Sequence, residues 1–338
     1  MLSSKFGIEI EFTGITRQRA AEVISKYFDR GYYRTHDYYD SYIIKSSDTR
    51  DWKLMYDSSI HCRRREGRRL VSAGNEYACE LVSPILTYRE DIGALQDIVR
   101  RIRKAGGVTN NSCGIHIHLD GEPHTPRSIR YFINLIASRN DLFYKALQIE
   151  PERMRYCLKM DAYLVERLNQ KKPNTFTQLE DIWYAGYSGN RNGHYHNSRY
   201  HFLNLHCFFH GNHTIELRGF NSVLHAGKIR AYIVFALAMD HQALTQKSAS
   251  YRKVQEENEK FAMRVYLNRI GFIGEEFKSC RKHLYEHLDG NAAWRYGSKE
   301  NCRSRRKKPE NTEHENEVAR SDDVVDTTDM DDCDIPFD

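Results

Sequence analysis

The 338-residue sequence is short of the features that mark membrane, secreted and zinc-finger proteins. No apolar stretch approaches the ~20 residues needed to cross a bilayer. The opening MLSSKFGIEIEF has no basic segment followed by an apolar run, so no signal peptide is expected and the cytoplasm is the default location. Eight cysteines stand singly, with no C-x-x-C pair, which removes support for zinc-finger and thioredoxin-type readings and favours reduced thiols. No G-x-x-x-x-G-K-[ST] run is present, and no internal repeat.

What remains suits a globular protein: 40% hydrophobic and 29% charged residues. The net charge of +5 hides an asymmetry. Residues 297–338 carry 7 Lys+Arg against 13 Asp+Glu, which leaves +11 on the first 296. A basic body suits anionic ligands such as nucleotide phosphates, although scattered surface lysines and arginines read equally well as plain solvation. The polar composition after 297, with RSRRKK followed by an acidic run, predicts a disordered charged tail over 297–338 and a folded unit over 1–296.

Apolar periodicity predicts strands at 6–12, 53–60, 76–83, 113–120, 200–209 and 213–220, the last two paired through a turn at Gly211-Asn212. Helices are predicted at 17–29, 88–105, from Pro126 to about 147, at 152–169, 225–247 and 252–270. Residues 170–198 read as loop, and HCRRREGRR at 61–69 as an exposed hairpin tip around Gly67. The mixture argues for an α+β fold, a largely antiparallel sheet with helices on one side.

Successive strand residues point to opposite faces. In GIEIEF, Glu9 and Glu11 therefore share a face opposite Ile8, Ile10 and Phe12. In GIHIHLD, His116, His118 and Asp120 stand opposite Ile115, Ile117 and Leu119; in TIELRGF, Glu216 and Arg218 stand opposite Ile215 and Leu217. Glu80 lies between Cys79 and Leu81, and Asn204 opposite Leu203 and Leu205. The aliphatic face packs under helices. If the strands share one sheet, carboxylates converge on the other face, where like charges 4–6 Å apart repel by about 3–4 kcal/mol. Such a cluster calls for cations, and glutamates with one or two imidazoles suit Mg²⁺ or Mn²⁺ better than zinc. Each element alone is weak: E-x-E is usually a solvated face, and E-x-R an ordinary ion pair.

FGIEIEF, YDSSI, CELVSPIL, a helix ending in AGG, CGIHIHLD and TIELRGFN, in this order over about 5–245, resemble the amidoligase family, which is similar in its core to glutamine synthetase and γ-glutamylcysteine ligase. The resemblance implies a glutamine synthetase-like catalytic sheet and ATP-dependent joining of an amino-acid or peptide carboxylate to an amine, with no P-loop required. It implies Glu9, Glu11, Glu80, His116 and Glu216 as metal ligands. It places His116, His118, Asn204 and Arg218 on the nucleotide side, with Arg218 and Arg199 facing phosphate. Asp57 and Ser58 fall near the substrate. No pattern in 173–198 marks the amine pocket.

Two other readings compete. His116 and His118 could serve a metal-dependent hydrolase, although barrel hydrolases carry such a pair on their first strand. The basic body could bind nucleic acid, but Tyr and Phe do not interleave with Arg as stacking platforms do. The stretch HYHNSRYH at 194–201 is a weaker second metal candidate. Cys113 reads as a buried small residue rather than a nucleophile, since no base is spaced to serve it.

Overall fold

The structure is a computed structural model that describes residues 1–193, 195–255 and 257–306. Among the described residues the strands run in chain order: β1 (Lys5–Phe12), β2 (Tyr32–Arg34), β3 (Tyr42–Lys45), β4 (Asp51–Met55), β5 (Arg63–Glu66), β6 (Arg69–Ser72), β7 (Cys79–Val82), β8 (Leu86–Thr87), β9 (Gly114–Asp120), β10 (Leu203–Asn204) and β11 (Thr214–Asn221). The helices are α1 (Arg17–Phe28), α2 (Tyr88–Lys104), α3 (Pro126–Ala137), α4 (Asn140–Ala146), α5 (Ala162–Lys171), α6 (Phe176–Tyr184), α7 (His206–His210), α8 (Ala226–Thr245), α9 (Glu259–Arg269), α10 (Lys278–Tyr285) and α11 (Lys299–Arg306).

The main sheet is open, with order β10-β11-β9-β1-β7-β4-β3-β2 and β8 beside β1; its ladders are antiparallel. The predicted aliphatic face is the core: Ile8, Ile10, Phe12, Leu81, Ile115, Ile117, Leu119, Ile215 and Leu217 are all buried. They join one cluster with Ile24 of α1, Ile98 of α2, Phe132 of α3 and Phe235 of α8. α8 is apolar nearly all round because β9, α2, α3 and α10 surround it. Among the described residues no helix is long and apolar enough to cross a membrane.

The mixed, mostly antiparallel architecture agrees with the sequence reading, but several local expectations need correction. The stretch 200–209 is not one strand. Only Leu203–Asn204 pairs with β11; Asn204 Oδ1 then accepts the His206 N–H at 2.7 Å and starts α7, so Gly211-Asn212 joins a helix to a strand. The supposed loop 170–198 contains α6, whose Thr175 cap accepts from the Gln178 amide. The helix from Pro126 breaks at Arg139, which leaves helical geometry (φ −128°, ψ 17°) between α3 and α4. The helix expected at 152–169 is a 3₁₀ turn, Pro151–Tyr156, followed by α5 behind its Asp161 cap. The last expected helix begins at Glu259, capped by Asn258, rather than at 252. The first strand after β3 stops at Met55, so Asp57 lies in a turn. Within the expected disordered tail, residues 299–306 form α11; the acidic run lies outside the described residues.

Candidate metal-binding active site

Three cross-strand rows build the polar face, because residues directly opposite in an antiparallel ladder share a face. Asn204, Glu216 and His118 form one row; His116 and Glu9 the next; Glu11, Glu80 and Met55 the third. The turn after β4 brings Asp57 to the third row, where its carboxylate accepts the Ser59 N–H at 2.6 Å. A β-bulge between Leu217 and Phe220 interrupts the ladder to β9 and re-aims Arg218. Gly219 sits in that bulge because a Cβ there would stand 2.1 Å from the Phe202 ring.

Ligand atoms then gather in three overlapping triads, each within 4.8 Å: Glu9, His118 and Glu216; Glu9, Glu80 and His116; Glu11, Asp57 and Glu80. Glu9 Oε2 lies 2.8 Å from His116 Nδ1, and its Oε1 3.1 Å from His118 Nε2. Glu216 is ion-paired with Arg218 and accepts from Asn204 Nδ2 at 2.6 Å. Glu11 accepts the Gly114 N–H at 2.6 Å.

The electrostatics divide along the floor. Burial pushes the Glu9 carboxyl up, but His118 and His116 together hold it well below its usual range. Burial acts the same way on Glu216, and Arg218, His118 and His116 outweigh it, leaving about 2. Burial and Arg218 push His116 down to about 4, so it is neutral; with its proton on Nδ1 facing Glu9, Nε2 keeps a lone pair. Burial lowers His118, but Glu9 and Glu216 raise it to about 9. At the other end burial and Asp57 raise Glu11 to about 8. Burial, Glu9 and Glu11 raise Glu80 well above its usual range.

The donor set fits divalent metal. Five carboxyl groups meet the two buried guanidiniums of Arg218 and Arg153. His118 Nε2 is buried and ion-paired with Glu9 at 3.1 Å, so this imidazole already supplies part of the positive charge at the Glu9–Glu216 end. Oxygen ligands with one imidazole suit Mg²⁺ or Mn²⁺, and the second nitrogen of His116 is held by a carboxylate, as in metal-ligating histidines.

The sequence-predicted residues fare as follows. Glu9, Glu11, Glu80, His116, His118, Glu216, Arg218 and Asp57 meet on one floor. Asn204 is completely buried, its Nδ2 donating to Glu216 and its Oδ1 accepting the His206 N–H. Arg199 closes a 3₁₀ turn over Tyr195 and Tyr200, at 5.3 Å and 5.8 Å from the ring centroids, with its Nε buried and unpartnered. Ser58 is exposed beside Asp57. Of the 194–201 histidines, His196 is taken by Ser198 and His201 by Tyr187, while His194 lies outside the described residues. Cys113 is buried and its thiol pushed up to about 12, as a non-nucleophile requires.

Sequence reasoning missed Arg153. It is 2% exposed, reaches from the 3₁₀ turn beneath the sheet end, and donates to the carbonyls of Phe220 and Arg218 on the bulge. Gly114 makes room for it: a Cβ there would stand 2.3 Å from the guanidinium. A glycine opening a strand was the one available signal. Cys207, 3.7 Å from Glu216, was also missed.

This floor of interleaved glutamates, histidines and arginine belongs to a family. The family described as putative amidoligase enzyme matches residues 2–240, and the chain belongs to it. The match takes in every residue of the three triads. No curated protein matches the sequence. Membership in this family points to an amide-bond ligase.

Proposed function

We propose that the protein is an ATP-dependent carboxylate–amine ligase that works with Mg²⁺ or Mn²⁺ through an acyl phosphate. The observation that carries this reading is the convergence of five carboxyl groups, two imidazoles and Arg218 from segments as far apart in sequence as Glu9 and Glu216. Glu9, Glu11, Glu80, His116 and Glu216 would hold the cations, with His118 and Asp57 completing the outer triads. Bound divalent metal neutralises phosphate charge and orients the reacting oxygens.

The remaining work falls to the chain itself. Asn204 and Arg218 fix Glu216, and Gly114 fixes Glu11, so the ligands need little reorganisation. Arg218, backed by the bulge, and Arg199 with its unpartnered Nε, are the cations available to a transferring phosphoryl group. The carboxylate oxygen attacks the γ-phosphorus as the bond to ADP breaks. The amine nitrogen then attacks the acyl carbon, phosphate leaves and the amine loses a proton.

The test is ADP release on mixing the protein with Mg-ATP, amines and carboxylate donors. Turnover abolished by Glu9→Gln is expected. No turnover with any donor pair, together with unchanged ATP affinity in Glu9→Gln, sinks the reading.

A further inference from the structure

The chain between Asp57 and Glu80, two members of one triad, leaves the sheet as a separate two-stranded ribbon, β5–β6. This arm carries five arginines in the seven residues RRREGRR, and every residue from Arg63 to Leu70 is exposed. Arg64 pairs with Glu66, and Arg63 reaches Ser72. The guanidiniums of Arg65, Arg68 and Arg69 have no hydrogen-bond or ion-pair partner among the described residues.

The arm is tied to the site rather than hung loosely. The Arg63 amide donates to Thr13 Oγ1 at 2.8 Å, and the Gly14 amide to the Arg63 carbonyl at 2.9 Å. Thr13 is two residues past Glu11 on the continuation of β1. Gly14 has φ +92° and approaches Gly106 so closely that a Cβ would stand 2.6 Å from its carbonyl oxygen, so this anchor is built into the backbone. β5 faces Gly14 through a bridge, which leaves β6 as the free edge.

An isolated two-stranded ribbon is marginal in water, and like charges along it weaken it further. Its chemistry selects an anion. Guanidinium forks match carboxylates in pairs, and a free strand edge accepts an extended chain through backbone hydrogen bonds. Residues 63–72 contain no aromatic side chain, so the stacking platform of a single-stranded nucleic-acid site is missing.

We infer that the arginine ribbon is the docking arm for an acidic polypeptide, and that this polypeptide carries the carboxyl group activated on the adjoining floor. The inference rests on the ligase reading for its second half. Arg65, Arg68 and Arg69 bind side-chain carboxylates of the partner, β6 aligns its backbone, and the terminal or side-chain carboxyl reaches the Glu11–Asp57–Glu80 end.

The test uses the full chain and a fluorescent ten-residue polyglutamate peptide, read by anisotropy at two salt concentrations. R65E/R68E/R69E, checked for an unchanged thermal midpoint, is expected to bind at least tenfold more weakly, with R65A/R68A/R69A in between. In turnover, the triple variant raises KM for the peptide at least tenfold with kcat unchanged. Equal peptide binding by parent and triple variant overturns the inference, as does tighter binding of a single-stranded RNA of equal charge. ADP release with free amino acids but none with the peptide also overturns it while leaving the ligase reading intact. Ribbon-dependent peptide binding with no ADP from any donor removes the ligase reading and the second half of the inference, and supports the docking arm alone.

Discussion

The two ends of the acidic floor solve the same electrostatic problem in opposite ways. At the Glu9–Glu216 end, charge is met inside the protein: Arg218 and the histidines hold both carboxyls ionised despite burial. At the Glu11–Asp57–Glu80 end Arg153 is largely occupied by backbone carbonyls, and burial with neighbouring carboxylates pushes Glu11 and Glu80 toward their protonated forms instead. The first end is assembled before any ion arrives. The second is a frustrated cluster that an ion would relieve, and it lies beside the arginine ribbon. A buried carboxyl held as an acid at neutral pH is a group waiting for a stronger cation than a proton.

The largest effect that could break this contrast is at Arg218. Arg218→Met strands Glu216 without its counter-charge and is expected to destabilise the fold by about 3–5 kcal/mol in urea titrations; a loss near zero would mean that the histidines alone hold that end. Glu11→Gln should act in the opposite sense on the metal-free protein. The folded carboxyl titrates near 8 and the unfolded one near its ordinary value, so folding takes up a proton between them and wild-type stability falls as pH rises through that window. The variant should therefore be more stable by about 3 kcal/mol at pH 7 and gain nothing at pH 4. Parallel pH profiles for the two proteins would erase the distinction between the ends. Gly114→Ala drives a Cβ against Arg153 and is expected to lower stability by about 1–3 kcal/mol. It should also weaken Mn²⁺ binding, measured by paramagnetic resonance, because the amide that holds Glu11 shifts. The smallest effect is the most direct: adding Mn²⁺ at pH 7 in dilute buffer should release on the order of one proton per chain, declining above pH 9. Binding without proton release would show that the second end is not the one filled.

Much of this floor was legible because strand alternation is a strict code. Glu9, Glu11, His116, His118 and Glu216 could be assigned to a face without coordinates, and the apolar residues between them fixed which face that was. The family resemblance supplied the neighbour relations that alternation cannot: nothing local says that Glu11 stands opposite Glu80, or Glu216 opposite His118. Errors gathered where side chains override periodicity. Asn204 ends a strand because its side chain turns back to accept the His206 N–H just before α7, so the hydrophobic run through Phe209 misled. Arg153 was invisible because its role depends on a hole left by Gly114 nearly forty residues earlier, and a single sequence gives no sign that two such positions touch. The basic hairpin was placed correctly, but its tether to Thr13 and Gly14 follows only from the fold.

The strand order has a consequence for how the protein comes into being. β9 is flanked by β1 and β11, so the central seam joins segments about a hundred residues away on either side. A nascent chain that has reached residue 120 already owns Glu9, Glu11, Asp57, Glu80 and both histidines, yet one long edge of β9 is bare and Glu216 has not been made. Such distant pairings are slow to close, and an unpaired edge invites the wrong neighbour. Completion of the acidic floor and protection of that edge are thus a single late event, and any cation that rewarded the closed sheet would draw the chain through its most hazardous interval.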